Sequence, residues 1–354
     1  LPAQIYKPDK KALELAAQAL IANQVIGLPT ETVYGLAGNA FNVQALSLIF
    51  SKKNRPTFDP LIVHIPRAWN TLALLDEKSI ITLERLSPRA RASAKSLIAK
   101  FWPGPLTIIL PKNSKIPDLV TSGLASVALR MPSHAVAQEL LSRLNFPLAA
   151  PSANRFGRIS PTSAGDVKTE LGDQIEIILD GGTCEVGLES TIVRVESDGA
   201  ISILRPGKIA REDLIGFELR EITANQASGN LAQAAPGMLE SHYAPKKSLT
   251  LLPSQIFDLK RFPESQSRVI GILLMSGSVD SAMAKLRSFT KKEFILKTLS
   301  PSGNWREAAQ VFFSSLRELD DSAAEEIFSE PCFEQNGIGF AIADRLKRAS
   351  ATKL

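Results

Sequence analysis

Twice along this 354-residue chain, short apolar runs that stop at proline or polar residues alternate with segments of helical period, and a stretch with neither pattern divides the two regions. Such alternation excludes an all-helical or all-strand fold and predicts sheets covered by helices. In the first region, residues 9–23 set Ala12, Leu15, Ala16, Ala19 and Leu20 at helical spacing after Pro8 and Asp9. Residues 25–28 read as a buried strand that Pro29 ends. Asn42 caps a second predicted helix through Lys53, with Ala45, Leu46, Ile49 and Phe50 on one side. Strands are predicted at 61–65, 106–110, 127–130, 148–150, 175–179, 191–195 and 201–204, and helices at 133–144 and 163–171. Between 208 and 247 the pattern weakens, and 225–237 is rich in Asn, Gln, Ala, Ser and Gly. Beyond it, predicted strands at 249–252, 269–275 and 294–299 alternate with helices at 279–288, 305–319 and 339–349, which favours a small α/β domain with a parallel sheet. The expected organisation is a first domain over 1–210, a linker over 211–247 and a second domain over 248–354.

Cys184 and Cys332 stand far apart without metal-ligand spacing, so neither a disulfide framework nor a zinc site is expected, and a reducing cytoplasm fits. No apolar run approaches the ~20 residues needed to cross a bilayer. The first residues lack a basic-then-apolar leader pattern, and a start at Leu1 leaves a trimmed leader open. The net charge of +5 favours anionic ligands. Its cations are scattered, apart from short pairs such as Lys246-Lys247 and Lys291-Lys292, which fits a solvated surface better than a nucleic-acid stripe.

No Walker A sequence occurs, and Gly181-Gly182 and Gly337-x-Gly339 lack the context of a dinucleotide fingerprint. Any nucleotide phosphates must therefore be held by cationic side chains and loop amides. Lys53 and Arg55 flank the end of a predicted helix and suit one polyanion, although cations there also complement the helix dipole. Pro151-Ser152-Ala153-Asn154 brings a hydroxyl and an amide to a strand end, where α/β ligand sites tend to lie; on these residues alone a local turn explains it better. Thr30-Glu31-Thr32, Arg130 and Arg205 also follow predicted strands. His64, inside an apolar strand, reads on its own as a core histidine. His242 and Tyr243 stand in the proline-bounded segment 235–245, where a lid and ordinary packing both remain open. Three histidines so placed make neither a triad nor a metal site, and no direct protein ligand to a metal is expected. These residues reach an anion-binding α/β protein, without specifying a reaction.

A set of segments in fixed order adds more: Pro29-Thr30-Glu31-Thr32-Val33-Tyr34-Gly35-Leu36, Lys53-Asn54-Arg55-Pro56, Pro60-Leu61-Ile62-Val63-His64, Trp102-Pro103-Gly104-Pro105-Leu106-Thr107, Val127-Ala128-Leu129-Arg130-Met131-Pro132, Ala150-Pro151-Ser152-Ala153-Asn154, Glu189-Ser190-Thr191-Ile192 and Leu204-Arg205-Pro206-Gly207. Together they resemble the YrdC-like threonylcarbamoyl-AMP synthases. Pro236-Gly237-Met238, His242-Tyr243-Ala244-Pro245 and the segment 337–345 resemble the longer, two-domain form of that family. Thr57-Phe58-Asp59 departs from the loop expected after the Arg-Pro.

The resemblance implies a YrdC-like twisted mixed sheet with a large concave site, plus a smaller Rossmann-like C-terminal α/β domain. It implies a nucleotidyltransferase making threonylcarbamoyl-AMP and pyrophosphate from L-threonine, bicarbonate or CO2, and ATP, for the threonylcarbamoyl modification of tRNA position 37. Lys53 and Arg55 are the implied catalytic residues. Those two with Thr107, Ser152, Asn154, Ser190, Arg205 and Tyr243 are the implied ATP contacts; Thr30, His64, Thr121, Arg130 and Ser190 are the threonine contacts, and His242 and Tyr243 the lid. Mg2+ would arrive with the ATP phosphates. A functional link to the tRNA threonylcarbamoyl transferase machinery is implied, and direct tRNA binding is left open. The rival readings are an RNA-binding, translation-associated module, for which aromatics at 6% are few, and a carbamoyl-adenylate-forming maturation enzyme, whose accessory segments are missing from the sequence.

Overall fold

The computed structural model describes residues 2–220 and 242–351. They form two compact units: Gly157–Ile159 and Val186–Leu188 group with the C-terminal residues, and the other residues through 220 make the first unit. Most of the predicted linker, 221–241, lies outside the described residues, including Pro236-Gly237-Met238.

The strands of the first unit are β1 (Gln4–Tyr6), β2 (Ile26–Leu28), β3 (Gly35–Asn39), β4 (Ile62–His64), β5 (Leu106–Pro111), β6 (Ser126–Arg130), β7 (Leu148–Ala149), β8 (Ile177–Leu179), β9 (Thr191–Val195), β10 (Ile201–Arg205) and β11 (Leu219–Arg220). Among the described residues they form one mixed sheet in the order β1-β8-β2-β3-β7-β4-β6-β5-β9-β10-β11. Its helices are α1 (Lys10–Ile21), α2 (Val43–Lys53), α3 (Leu72–Glu77), α4 (Pro88–Phe101), α5 (Asp118–Thr121), α6 (Ala135–Ser142) and α7 (Ala164–Leu171). Asp9 starts α1 by accepting from the Ala12 amide at 2.8 Å, and Asn42 starts α2 by accepting from Ala45 at 3.0 Å. These caps satisfy amides that the first helical turn leaves without partners. One core runs under α2, α4 and the odd-numbered face of β4, where Leu61, Val63 and Ile65 are buried; a second gathers α1, α6 and β2.

Several elements escape local pattern. Helix α4 buries Ala90, Ala94, Leu97 and Ile98, a stripe half made of alanine among cations, although Ser87 at its N-cap and Pro88 inside its first turn mark its start. Strand β3 is glycine-rich, and a Cβ at Gly38 would lie 3.1 Å from Val25 Cγ1 and 3.3 Å from Ile49 Cδ1, so the bare backbone permits close helix packing. The three-residue β1 exists because it pairs with β8 in parallel.

In the second unit β12 (Leu249–Leu251), β13 (Val269–Ser276), β14 (Glu293–Ser300) and β15 (Glu326–Ser329) form a parallel sheet in the order β12-β15-β13-β14. Its helices are α8 (Val279–Phe289), α9 (Trp305–Asp321) and α10 (Gly337–Ser350). The near-continuous apolar run of β13 suits a central strand covered on both faces. Its core includes Ile270, Ile272, Leu274, Leu286 and Phe328.

Candidate active site

Lys53 is the last residue of α2, and Asn54 then turns the chain through a left-handed conformation at φ 51°, which asparagine tolerates well. The Lys53 ammonium donates to the Ser152 carbonyl at 2.6 Å and also to the Asn154 carbonyl. Backbone pairing fixes that meeting: Leu36 donates to Pro151, Ala153 to Tyr34 and Phe156 to Lys53, each at 2.8 Å. Lys53 is 1% exposed, far from a surface cation that merely complements a helix end. Burial, helped by neighbouring Arg55, pulls its ammonium well below the usual range.

Arg55 is held within its own loop. Its Nη2 lies 2.8 Å from Asp59 Oδ2 and donates to the Pro60 carbonyl at 2.8 Å, while Nε donates to the Asp59 carbonyl at 3.2 Å. Burial pushes the Asp59 carboxyl up, and Arg55, Lys53 and Arg205 oppose it. One buried carboxylate thus pairs with Arg55 and feels the charges of Lys53 and Arg205. Sequence reading missed Asp59; it lies in the Thr57-Phe58-Asp59 segment that departs from the expected pattern, and that departure was the available signal.

The sheet supplies the second group. Pairing aligns His64 of β4 with Arg130 of β6, Arg130 with Thr107 of β5, Thr107 with Ile192 of β9 and Ile192 with Arg205 of β10. Residues directly opposite share a sheet face, so the polar side chains occur beside the apolar cluster Ile62, Ile109, Ala128, Ile192 and Leu204. Thr107 Oγ1 and Ser190 Oγ are 2.7 Å apart. Arg205 donates from Nε and Nη2 to the Ser190 carbonyl at 3.1 and 3.0 Å, and from Nη2 to Ser190 Oγ at 3.2 Å.

Arg130 reaches the loop after β2. Its Nη2 is 2.7 Å from Glu31 Oε1 and its Nη1 donates to Thr32 Oγ1 at 2.7 Å. Thr30 Oγ1 donates to the Val33 carbonyl at 2.6 Å and sits 3.0 Å from Thr32 Oγ1. Burial pushes the Glu31 carboxyl up, but the charge and hydrogen bond of Arg130, joined by the backbone amides of Glu31 and Ser133, more than offset this and hold it below the usual range. His64, its Nδ1 3.3 Å from the Ile62 carbonyl, is driven down to about 3 by burial and then by Arg130. It is a neutral polar group at pH 7. The sequence alone assigns Glu31 no role; its charge beside a strand end is the only hint.

Thr121, His242 and Tyr243 remain. Thr121 ends α5 and its hydroxyl accepts from Lys112 at 3.2 Å. His242 and Tyr243 belong to the second unit, where Tyr243 packs 5.5 Å from Phe313. Among the described residues no cluster of three His, Cys, Asp or Glu side chains could hold a metal ion.

Fold and site define an α/β protein that gathers buried cations and hydroxyls at strand and helix ends, a class suited to small anionic ligands without a glycine-rich phosphate loop. Residues 18–207 match the Sua5, YciO and YrdC family model, described as Telomere recombination, and residues 210–351 match the model described as Threonylcarbamoyl-AMP synthase, C-terminal domain. The chain belongs to the Sua5/YciO/YrdC family, in its two-domain form. It is 33% identical to the threonylcarbamoyl-AMP synthase of Pyrococcus abyssi, covering 97% of this chain and 95% of that one. It is 35% identical to that of Bacillus subtilis, covering 96% and 93%. A crystal structure of P. abyssi Sua5 complexed with L-threonine superposes with a TM-score of 0.77 at 29% identity, covering 99% of this chain and 97% of that chain. The activity of this chain is threonylcarbamoyl-AMP synthesis, a step in tRNA modification.

Proposed function

We propose that the two side-chain groups divide the substrates between them. Arg130, held by Glu31 and Thr32, takes the carboxylate of L-threonine, with Thr30, the neutral His64 and Ser190 around the rest of the amino acid. Lys53, Arg55 and Arg205, with Thr107, Ser152, Asn154 and Ser190, take ATP; Tyr243 and His242 close over it. Thr121, tied to Lys112, has the weakest claim to a threonine contact.

The threonine amine captures bicarbonate with loss of water, or CO2 with loss of a proton, to form a carbamate. A carbamate oxygen then attacks the α-phosphorus of ATP, and pyrophosphate leaves with the α–β bridging oxygen and its electron pair. This is nucleotidyl transfer without a covalent enzyme intermediate. Preorganised cations stabilise the growing phosphate charge. Mg2+ would accompany the ATP phosphates and keep most of its water. No step is assigned to it. We place the reaction in the cytoplasm, upstream of the transferase that passes the threonylcarbamoyl group to tRNA; both cysteines are free and no described helix is long and apolar enough to cross a membrane.

The observation that carries this reading is the buried Lys53 ammonium meeting the Ser152 and Asn154 carbonyls, with Arg55 buried two residues on. Purified protein incubated with ATP, Mg2+, bicarbonate and single amino acids should release pyrophosphate and form an adenylate of the expected mass with threonine alone. An unchanged rate in Lys53→Ala and Arg55→Ala would remove these residues from the site.

A further inference from the structure

His242 and Tyr243 are buried in the second unit although no helix or strand contains them. Tyr243 adopts φ 67°, a left-handed conformation that a bulky residue keeps only where its surroundings overdetermine it. Those surroundings are specific. The Arg345 guanidinium of α10 lies over the tyrosine ring, 5.5 Å from its centroid, and Phe313 of α9 packs 5.5 Å away. His242 meets Tyr243 edge-on at 4.1 Å, and its amide donates to the Arg348 carbonyl at 3.2 Å. The Ala244 amide donates to Gly157 at 2.8 Å.

Arg345 is fully buried, with Nη1 2.9 Å from Asp344 Oδ2. Packing alone does not call for a guanidinium there, because an apolar side chain of similar volume fills a helix face without desolvating a charge. Besides its ion pair with Asp344, the buried cation attracts the face of the aromatic ring it lies over, most strongly where water is excluded.

We infer that Arg345 is a positioning residue for Tyr243: it clamps the ring, fixes the backbone at its left-handed turn and thereby sets how the His242-Tyr243 pair is presented for closure. The inference rests on the lid reading above. It gives α10 of the second unit a part in retaining the adenylate, exerted through the tyrosine and not by contact with substrate.

The test uses the full-length protein with Arg345→Met, Arg345→Lys, Tyr243→Ala and the Arg345→Met/Tyr243→Ala pair. Hydrogen exchange is read on the peptide holding residues 242–244, and release of the adenylate by rapid dilution. Arg345→Met should speed both by about tenfold, leave the threonine KM within about twofold, and add nothing on the Tyr243→Ala background; Arg345→Lys should recover part of the loss. Should Arg345→Met fail to fold, Arg345→Lys and Phe313→Leu read the same clamp. Faster release in Tyr243→Ala but not in Arg345→Met overturns the inference and leaves the lid standing. Unchanged release in Tyr243→Ala removes the lid and the inference with it. A further loss in the double variant assigns Arg345 to general stability and also overturns it.

Discussion

Replacing Glu31 by Gln removes one charge and almost no volume beside Arg130, whose side chain, like that of Glu31, is 4% exposed. The pair is 2.7 Å apart, and the other side chain bonded to Arg130 is the neutral hydroxyl of Thr32. Breaking a buried ion pair from one side costs about 3–5 kcal/mol, because the remaining charge stays desolvated. The Gln oxygen can still accept one hydrogen bond, which sets the expectation at the lower end, about 3 kcal/mol. At roughly 2–4 °C per kcal/mol for a unit of this size, the unfolding midpoint should fall by about 6–12 °C. Tryptophan fluorescence reports it, since Trp69 and Trp102 are both buried in the first unit.

The pH dependence separates charge from shape. Arg130 holds the Glu31 carboxyl below its ordinary value of 4.5, so the stability it contributes is complete above about 4.5 and is lost as pH falls through the lower, folded-state value. The gap between parent and variant should be full at pH 7 and shrink in acid. With Arg130 no longer held, the threonine KM should rise more than kcat falls. A midpoint within about 2 °C of the parent at pH 7, or a gap undiminished in acid, refutes the ion-pair argument.

His64 is neutral in the fold, down to about 3 from 6.5, so its contribution is intact above about 6.5 and drains away as pH falls toward 3; urea unfolding at several pH values should show that slope in the parent and a shallower one in His64→Gln, and equal slopes would exclude it. Gly207→Ala would put a Cβ 2.5 Å from Thr191 N and 2.7 Å from the Glu189 carbonyl, backbone atoms that cannot step aside. We expect a loss of about 2–3 kcal/mol by thermal melting, with activity falling as Ser190 shifts. Lys53→Met keeps the volume and removes the donor for the Ser152 and Asn154 carbonyls; kcat/KM for ATP should drop by about two orders of magnitude, and a decrease under threefold would place Lys53 outside the chemistry.

Local pattern reveals those elements whose burial is one-sided and whose ends are marked. Helix α2 shows both signals, from the Asn42 cap to the buried Ala45, Leu46, Ile49 and Phe50, and β13 shows a long apolar run. Elements that borrow stability from distant partners stay hidden: β1 needs β8, β15 needs β12 and β13, and the stripe of α4 becomes apolar only when its alanines are counted as core. Sheet order is likewise non-local. Nothing near residue 64 announces that His64 lies beside Arg130.

The site divides in the same way. Cations at the ends of elements are visible in sequence, so Lys53, Arg55, Arg130 and Arg205 emerge as residue types in plausible places. Their electrostatic state is not, because it depends on burial and on Glu31 and Asp59, which reach them through the fold. A count of four cations suggests a strongly positive surface. The fold instead balances Arg130 with Glu31, pairs Asp59 with Arg55, weakens the hold of Lys53 on its proton and keeps His64 neutral. An arriving polyphosphate would therefore stabilise charge that burial disfavours in the free protein. Binding of ATP should take up protons where Lys53 is partly neutral, and its heat should differ there between buffers of different ionisation enthalpy; a buffer-independent heat at every pH where the protein stays folded would mean that Lys53 is already fully charged before ATP arrives.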